Sequence, residues 1–253
     1  MIWSDINTQA HGLVRKNPRL QDYIDSKIFA YEDFPSALTG HLADSLQEHL
    51  QRSLLKEWFD EIVNHHPEIA TAAEADINRV VTLNPACPNH LTALLSFRGI
   101  AAIQAYRIAH AIWNSGDIQS AVLLQNWISL QWNIDIHPAA KLGQGLFIDH
   151  GIGLVIGETA VVEDEVSIWH GVTLGSTLNE TGDRHPKIRR GALICASASV
   201  LGNIEVGENA IVAANSVVLK PVSNGVVVAG APAKPVGQAP SSLATLSTQS
   251  EQV

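Results

Sequence analysis

The sequence predicts an α+β protein in two parts: an N-terminal α-helical domain, then a left-handed parallel β-helix of hexapeptide repeats with one protruding loop. Three observations predict it. Residues 1–133 carry apolar side chains at three- and four-residue spacing. From residue 134 that period vanishes and an aliphatic residue recurs every six positions. A polar stretch at 175–187 then interrupts the count by a length that is not a multiple of six.

In the first part, ADSLQEHLQRSLLKEWFDEIVNHH (43–66) has the helical period throughout. Pro67 suits the start of a second helix through EIATAAEADINRVV, where its missing N–H is not needed. PNHLTALL and FRGIAAIQAYRIAHAIW continue the pattern. NSGD breaks it, with Gly116 as a helix stop and Asp117 as the cap of the next helix. That next segment, IQSAVLLQNWISLQWNIDI, is the most apolar of the chain, but Gln, Asn and Asp interrupt it. It is expected to pack on another helix or a partner chain rather than to span a membrane.

In the second part, every sixth residue from Ile136 reads Ile136, Leu142, Ile148, Leu154, Ala160, Val166, Val172. After the interruption it reads Ile188, Ile194, Val200, Val206, Val212, Val218. A second column three residues later reads Gly145, Gly151, Gly157, Glu163, Trp169, Gly175, then Gly191, Ser197, Asn203, Asn209, Asn215. Glycine and asparagine tolerate positive φ, so a tight corner is expected every six residues, three to a coil. Glu163 and Trp169 break that rule. The organisation expected is therefore a helical domain over 1–133, a β-helix over 134–230 with its loop at 175–187, and a largely disordered tail over 231–253, rich in Pro, Ala, Ser, Thr and Gln.

A formal charge of −9 argues against a general nucleic-acid binder. Cys87 and Cys195 sit in unrelated contexts, which fits a reducing compartment, and MIWSDINTQA lacks the features of a signal peptide, so a cytoplasmic protein is expected. RHPKIRR (184–190) gathers Arg184, Lys187, Arg189 and Arg190 in an otherwise acidic chain; it is either a solvated loop or a landing site for an anionic ligand.

Four histidines fall in the β-helix half: His137, His150, His170 and His185. Their separations of 13, 20 and 15 residues do not suggest convergent zinc ligands, and no metal is expected. His150 follows Asp149 at a corner, where an imidazole can take a proton from an attacking hydroxyl. A carboxylate on its other nitrogen would fix the tautomer, with Asp135 and Asp149 as candidates.

These residues carry a resemblance. DIHPAAKLGQGLFIDHGIGLVIGETAVVEDEVSIWHGVTLGST, GDRHPKI, LGNIEVGENA and AGAPAKPVG are similar to serine O-acetyltransferases, as is FRGIAAIQAYRIAHAIW. The resemblance covers roughly residues 40–237. It implies acetyl transfer from acetyl-CoA to the hydroxyl of L-serine, the first step of cysteine biosynthesis, with inhibition by L-cysteine. It implies His150 as general base and Asp135 as its orienting carboxylate, with Asp149, Arg184, His185 and Asn84 around the amino acid. It implies acetyl-CoA along Gly175, Ser176, Ala196, Ala214 and Lys220, and a homotrimer or dimer of trimers paired through the helical domain.

The chain departs from the family pattern in four places. LGSTL (174–178) puts Ser176 and Leu178 where the family has glycines. Asn84 stands for an aspartate, and Ile152 for a threonine or methionine. The tail ends in Val253 rather than the isoleucine that docks into O-acetylserine sulfhydrylase. Three alternatives follow: the same chemistry on homoserine or another small hydroxyl, a zinc-dependent lyase on the same solenoid, and a non-catalytic partner of a sulfhydrylase.

Overall fold

The computed structural model describes residues 2–177 and 181–240; Leu178 and the tail from 241 to Val253 lie outside them. Among the described residues eight α-helices come first: α1 (Ile2–Lys16), α2 (Gln21–Ile24), α3 (Phe34–Leu46), α4 (Arg52–His65), α5 (Glu68–Leu83), α6 (His90–Ser96), α7 (Arg98–Asn114) and α8 (Ile118–Trp132). The period over 43–66 is not one helix, because the chain turns at 47–51. No Gly or Pro marks that turn; Arg52 is drawn back instead to Asp44 and to the Tyr31 hydroxyl. Pro67 does precede α5, and Asp117 caps α8 by accepting from the Ser120 N–H. α7 is buried almost all round, and α8 packs on it while leaving Ile118, Val122, Leu123 and Leu130 exposed.

α8 ends at Asn133, whose φ of 56° turns the chain directly into the first strand. Fifteen strands follow among the described residues. β1 (Ile134–Ile136), β4 (Leu154–Ile156), β7 (Thr173–Gly175), β10 (Ser199–Leu201) and β13 (Val217–Val218) form the first sheet. β2 (Lys141–Leu142), β5 (Val161–Val162), β8 (Lys187–Ile188) and β11 (Glu205–Val206) form the second. β3 (Phe147–Asp149), β6 (Ser167–Trp169), β9 (Leu193–Ile194), β12 (Ile211–Val212) and β14 (Val226–Ala229) form the third. All these pairs are parallel. β15 (Lys234–Gln238) then folds back antiparallel on β14, inside the stretch expected to be largely disordered.

The register explains the anomalous corners. Ile134 pairs with Leu154, 20 residues on, whereas Val155 pairs with Thr173, 18 on. The first coil is therefore two residues longer than the next, and the extra pair falls at the corner between β3 and β4, around His150. Thr173 pairs with Ser199, 26 residues on, because that coil carries the loop. The corners after the first coil accordingly sit two positions later than the sixfold count gives: positive φ occurs at Glu165 and Gly171, not at Glu163 and Trp169. The expected aliphatic column crosses between two inward-facing columns at the same place. One runs Ile136, Leu142, Ile148, Ile156, Val162, Ile168, Leu174; the other runs Ile134, Ala140, Leu146, Leu154, Ala160, Val166, Val172. Positive φ recurs coil after coil at two of the three edges, and on the third it occurs only at Gly182 in the loop and at Gly202 among the described residues. Gly157 and Gly175, on the third, lack it.

A buried polar knot docks the helices on the first coil. Asp76 of α5, fully buried, accepts from Gln104 Nε2 at 2.8 Å, Arg107 Nη2 at 2.6 Å and the Leu146 N–H at 2.8 Å. Arg107 also donates to the Gly143 carbonyl at 2.8 Å, and Tyr106 to the Ala140 carbonyl. The buried carboxylate is thus met by a cation and by further donors, as a buried charge requires.

Candidate active site

The lengthened corner presents His150. Its own φ is 55° and that of Gly151 is 71°, a left-handed pair that throws the imidazole outward; its side chain is 69 % exposed. A Cβ at Gly151 would press on Ile134. Gly99, at the start of α7, lies so close to the Ile148 carbonyl that no larger residue fits, so the helix N-terminus sits directly beneath the corner. His150 Nε2 lies 3.8 Å from Asp149 Oδ2, and its ring meets that of His170 edge-on at 5.9 Å between centroids.

A pocket of about 350 Å³ opens here, lined by Asn84, Phe97, Arg98, Gly99, Asp149 and His150 among others. Asn84 Oδ1 accepts from the Ala86 N–H at 2.9 Å, so the capacity Asn84 adds to the pocket is mainly its NH₂ donors. Arg98 was not legible as a site residue. Its only signal is its place at the first position of α7, and among the described residues it makes no ion pair.

Arg184 and His185 lie at a different edge, between the first and second sheets. Arg184 Nη2 donates to Glu158 Oε2 at 2.6 Å, which holds the Glu158 carboxyl below its ordinary range. His185 is buried against Gly157, where a Cβ would overlap its ring. Its Nδ1 lies 2.8 Å from Thr159 Oγ1, and both the Arg184 and His185 N–H groups donate to that hydroxyl at 3.0 Å. Burial first, and then the Arg184 charge, holds the His185 imidazole below its usual range. His137 is lowered by burial too, opposed by the charges of Glu158 and Asp135. Asp135 is the central residue of β1, opposite Val155 of β4. Asp135 makes no hydrogen bond or ion pair with the same chain's His150 among the described residues; its partner is Gln125, 2.7 Å away.

The expected acetyl-CoA residues divide in the same way. The Gly171 N–H donates to the Ile152 carbonyl, the Ser197 N–H to that of His170 and the Asn215 N–H to that of Ala196. Ala196 and Ala214 therefore follow Ile152 and His170 along the His150 edge, Ala196 half-buried and Ala214 exposed. Gly175 and Ser176 belong to the Arg184 edge, and Lys220 is exposed just beyond β13. The basic cluster is not a free anion landing site. Lys187 pairs with Asp183 at 2.5 Å, Arg189 with Glu163 at 2.7 Å, and Arg190 with Asp164 at 2.9 Å and Glu165 at 2.8 Å. Stacked coils bring carboxylates beside those cations, which the linear sequence does not display.

Among the described residues no three His, Cys, Asp or Glu side chains are grouped to hold a metal ion, and no helix is long and apolar enough to cross a membrane. Cys87 and Cys195 are both free and buried.

Residues 2–105 match the family model for the serine acetyltransferase N-terminal region, and residues 185–220 match that for the bacterial transferase hexapeptide. A putative serine acetyltransferase of Schizosaccharomyces pombe is 47% identical over 242 residues, which are 94% of this chain and 89% of that one. A Brucella abortus strain S19 serine acetyltransferase in complex with coenzyme A has a TM-score of 0.92 at 42% identity, covering 94% of this chain and 96% of that one. A serine acetyltransferase in complex with cysteine has a TM-score of 0.93 at 42% identity, covering 98% and 96%.

Proposed function

The chain belongs to the serine acetyltransferase family, and from that premise we propose that His150 is its general base, working in a site shared between neighbouring copies. The enzyme moves the acetyl group of acetyl-CoA to the hydroxyl of L-serine, giving O-acetyl-L-serine and CoA. His150 takes the hydroxyl proton as the serine oxygen bonds to the thioester carbon. The tetrahedral adduct then collapses with cleavage of the carbon–sulfur bond, and the imidazolium returns the proton to the leaving thiolate. The transfer is direct, without an acetyl-enzyme. Cys87 and Cys195 are both buried, and burial pushes the Cys195 thiol up to about 11, away from the reactive thiolate.

The single observation that carries the reading is His150 held outward at an expanded corner beside a pocket of amino-acid size. Among the described residues Asp149 is the one carboxylate lining that pocket, and it suits the substrate ammonium. Arg98 and the Asn84 amide supply donors to the same pocket. Arg184 and His185 face the opposite margin of the first sheet. Three prisms packed about a threefold axis would set the His150 edge of one against the first sheet of the next, with Asp135 on that sheet and Arg184 at its margin. Acetyl-CoA would lie in that groove over Ala196 and Ala214, where small side chains admit a pantetheine arm. L-cysteine, which differs from serine by sulfur for oxygen, would occupy the same pocket as an inhibitor.

The test is release of free thiol from acetyl-CoA with L-serine or L-homoserine, beside His150→Ala. Serine-dependent release, reduced about 10²–10⁴-fold in the variant, is expected. Full activity in a folded His150→Ala would overturn the assignment of the base.

A further inference from the structure

The carboxylate assigned to orient His150 is itself held from the helical domain. Asp135 sits on β1, and its Oδ1 accepts from Gln125 Nε2 at 2.7 Å. Among the described residues Oδ2 has no protein donor. Gln125 lies two turns before the end of α8, half-buried. One residue, Asn133, separates that helix from β1, and its N–H closes the helix on the Ser129 carbonyl at 2.8 Å. The helix and the strand therefore form a stiff hairpin across which the amide reaches.

We propose that Gln125 is a positioning residue for the acetyl transfer: it fixes the Asp135 carboxylate so that Oδ2 is the oxygen offered to the imidazole. This rests on the reading of Asp135 as the partner of His150. An aspartate's terminal torsion is soft, and a carboxylate on an open sheet face would otherwise sample several orientations. An ionised carboxylate only accepts, so Gln125 must present its NH₂, and the direction of the amide is set by chemistry. The choice of a neutral donor matters. An arginine or lysine at this place would hold the carboxylate equally well but cancel the charge that stabilises an imidazolium. An amide orients and leaves the charge intact.

The experiment measures kcat and KM for both substrates in the full-length enzyme, for Gln125→Met, Asp135→Ala and the double variant. Gln125→Met is expected to lower kcat about tenfold, the scale of one net hydrogen bond, with both KM values unchanged. In the Asp135→Ala background the same change is expected to cost nothing more. Gln125→Lys keeps a donor and adds a charge; it is expected to fold, to keep both KM values and to lose kcat. Equal losses from Gln125→Met with and without Asp135 would mean a merely structural role and overturn the inference. So would full kcat in Gln125→Met beside a slow Asp135→Ala. Full activity in Asp135→Ala would instead overturn the reading of Asp135 itself.

Discussion

Single atoms decide several outcomes at this site. Gly157 carries no positive φ, so its lack of a side chain serves space alone: the His185 ring occupies the position a Cβ would take. Gly157→Ala is therefore expected to push His185 off Thr159 and to raise KM for serine several-fold, with a much smaller change in kcat; steady-state kinetics would show it. Asp149→Asn is expected to raise KM for serine while sparing KM for acetyl-CoA, because among the described residues Asp149 is the one carboxylate lining the His150 pocket. His41, in α3, is a different case. Burial first, then the Lys27 charge, lowers its pKa to about 4, and its Nδ1 has no partner among the described residues. The unfolded chain binds the proton more tightly than the native one, so stability is present above about pH 6.5 and lost as pH falls towards 4. The loss is on the order of 3 kcal/mol. Urea denaturation at pH 7 and pH 4.5 should show that slope, and His41→Leu should flatten it.

At the scale of elements, the sequence showed what each coil repeats but not where coils differ. The aliphatic column was visible because every short segment of the coil must turn aliphatic side chains inward, which is a local requirement. The two extra residues at His150 were not, because Leu154 is ambiguous: it continues the sixfold count from Ile148 while pairing with Ile134. A column that survives a register shift looks unbroken. The turn at 47–51 was hidden because no Gly or Pro marks it; beyond it, Arg52 bonds back to Asp44 and the Tyr31 hydroxyl, contacts that the linear sequence does not display. His150, Asp149, Arg184 and His185 could be named from motifs, whereas Arg98 and Gln125 could not. Their relevance comes only from packing, the first at the mouth of the His150 pocket and the second against Asp135. The cations of 184–190 likewise looked unpaired until neighbouring coils supplied Glu158, Glu163 and Asp164.

At the scale of the whole molecule, the helical domain and the β-helix share one continuous core, joined through Asp76, Gln104 and Arg107. Asp76→Ala would strand the Arg107 guanidinium in that junction and is expected to cost about 3–5 kcal/mol, read from the shift of the denaturation midpoint. The largest claim at this scale is that the site needs two copies, since His150 and Arg184 occupy different edges of one prism. Its most direct test is to co-express His150→Ala with Arg184→Ala, each inactive alone, and to assay the purified mixture for serine-dependent thiol release. In a mixed trimer one site joins an intact His150 to a neighbour's intact Arg184, so random assembly is expected to restore about a quarter of wild-type activity. No activity above that of the separate variants, from demonstrably mixed oligomers, would place the whole site within one chain and contradict the account.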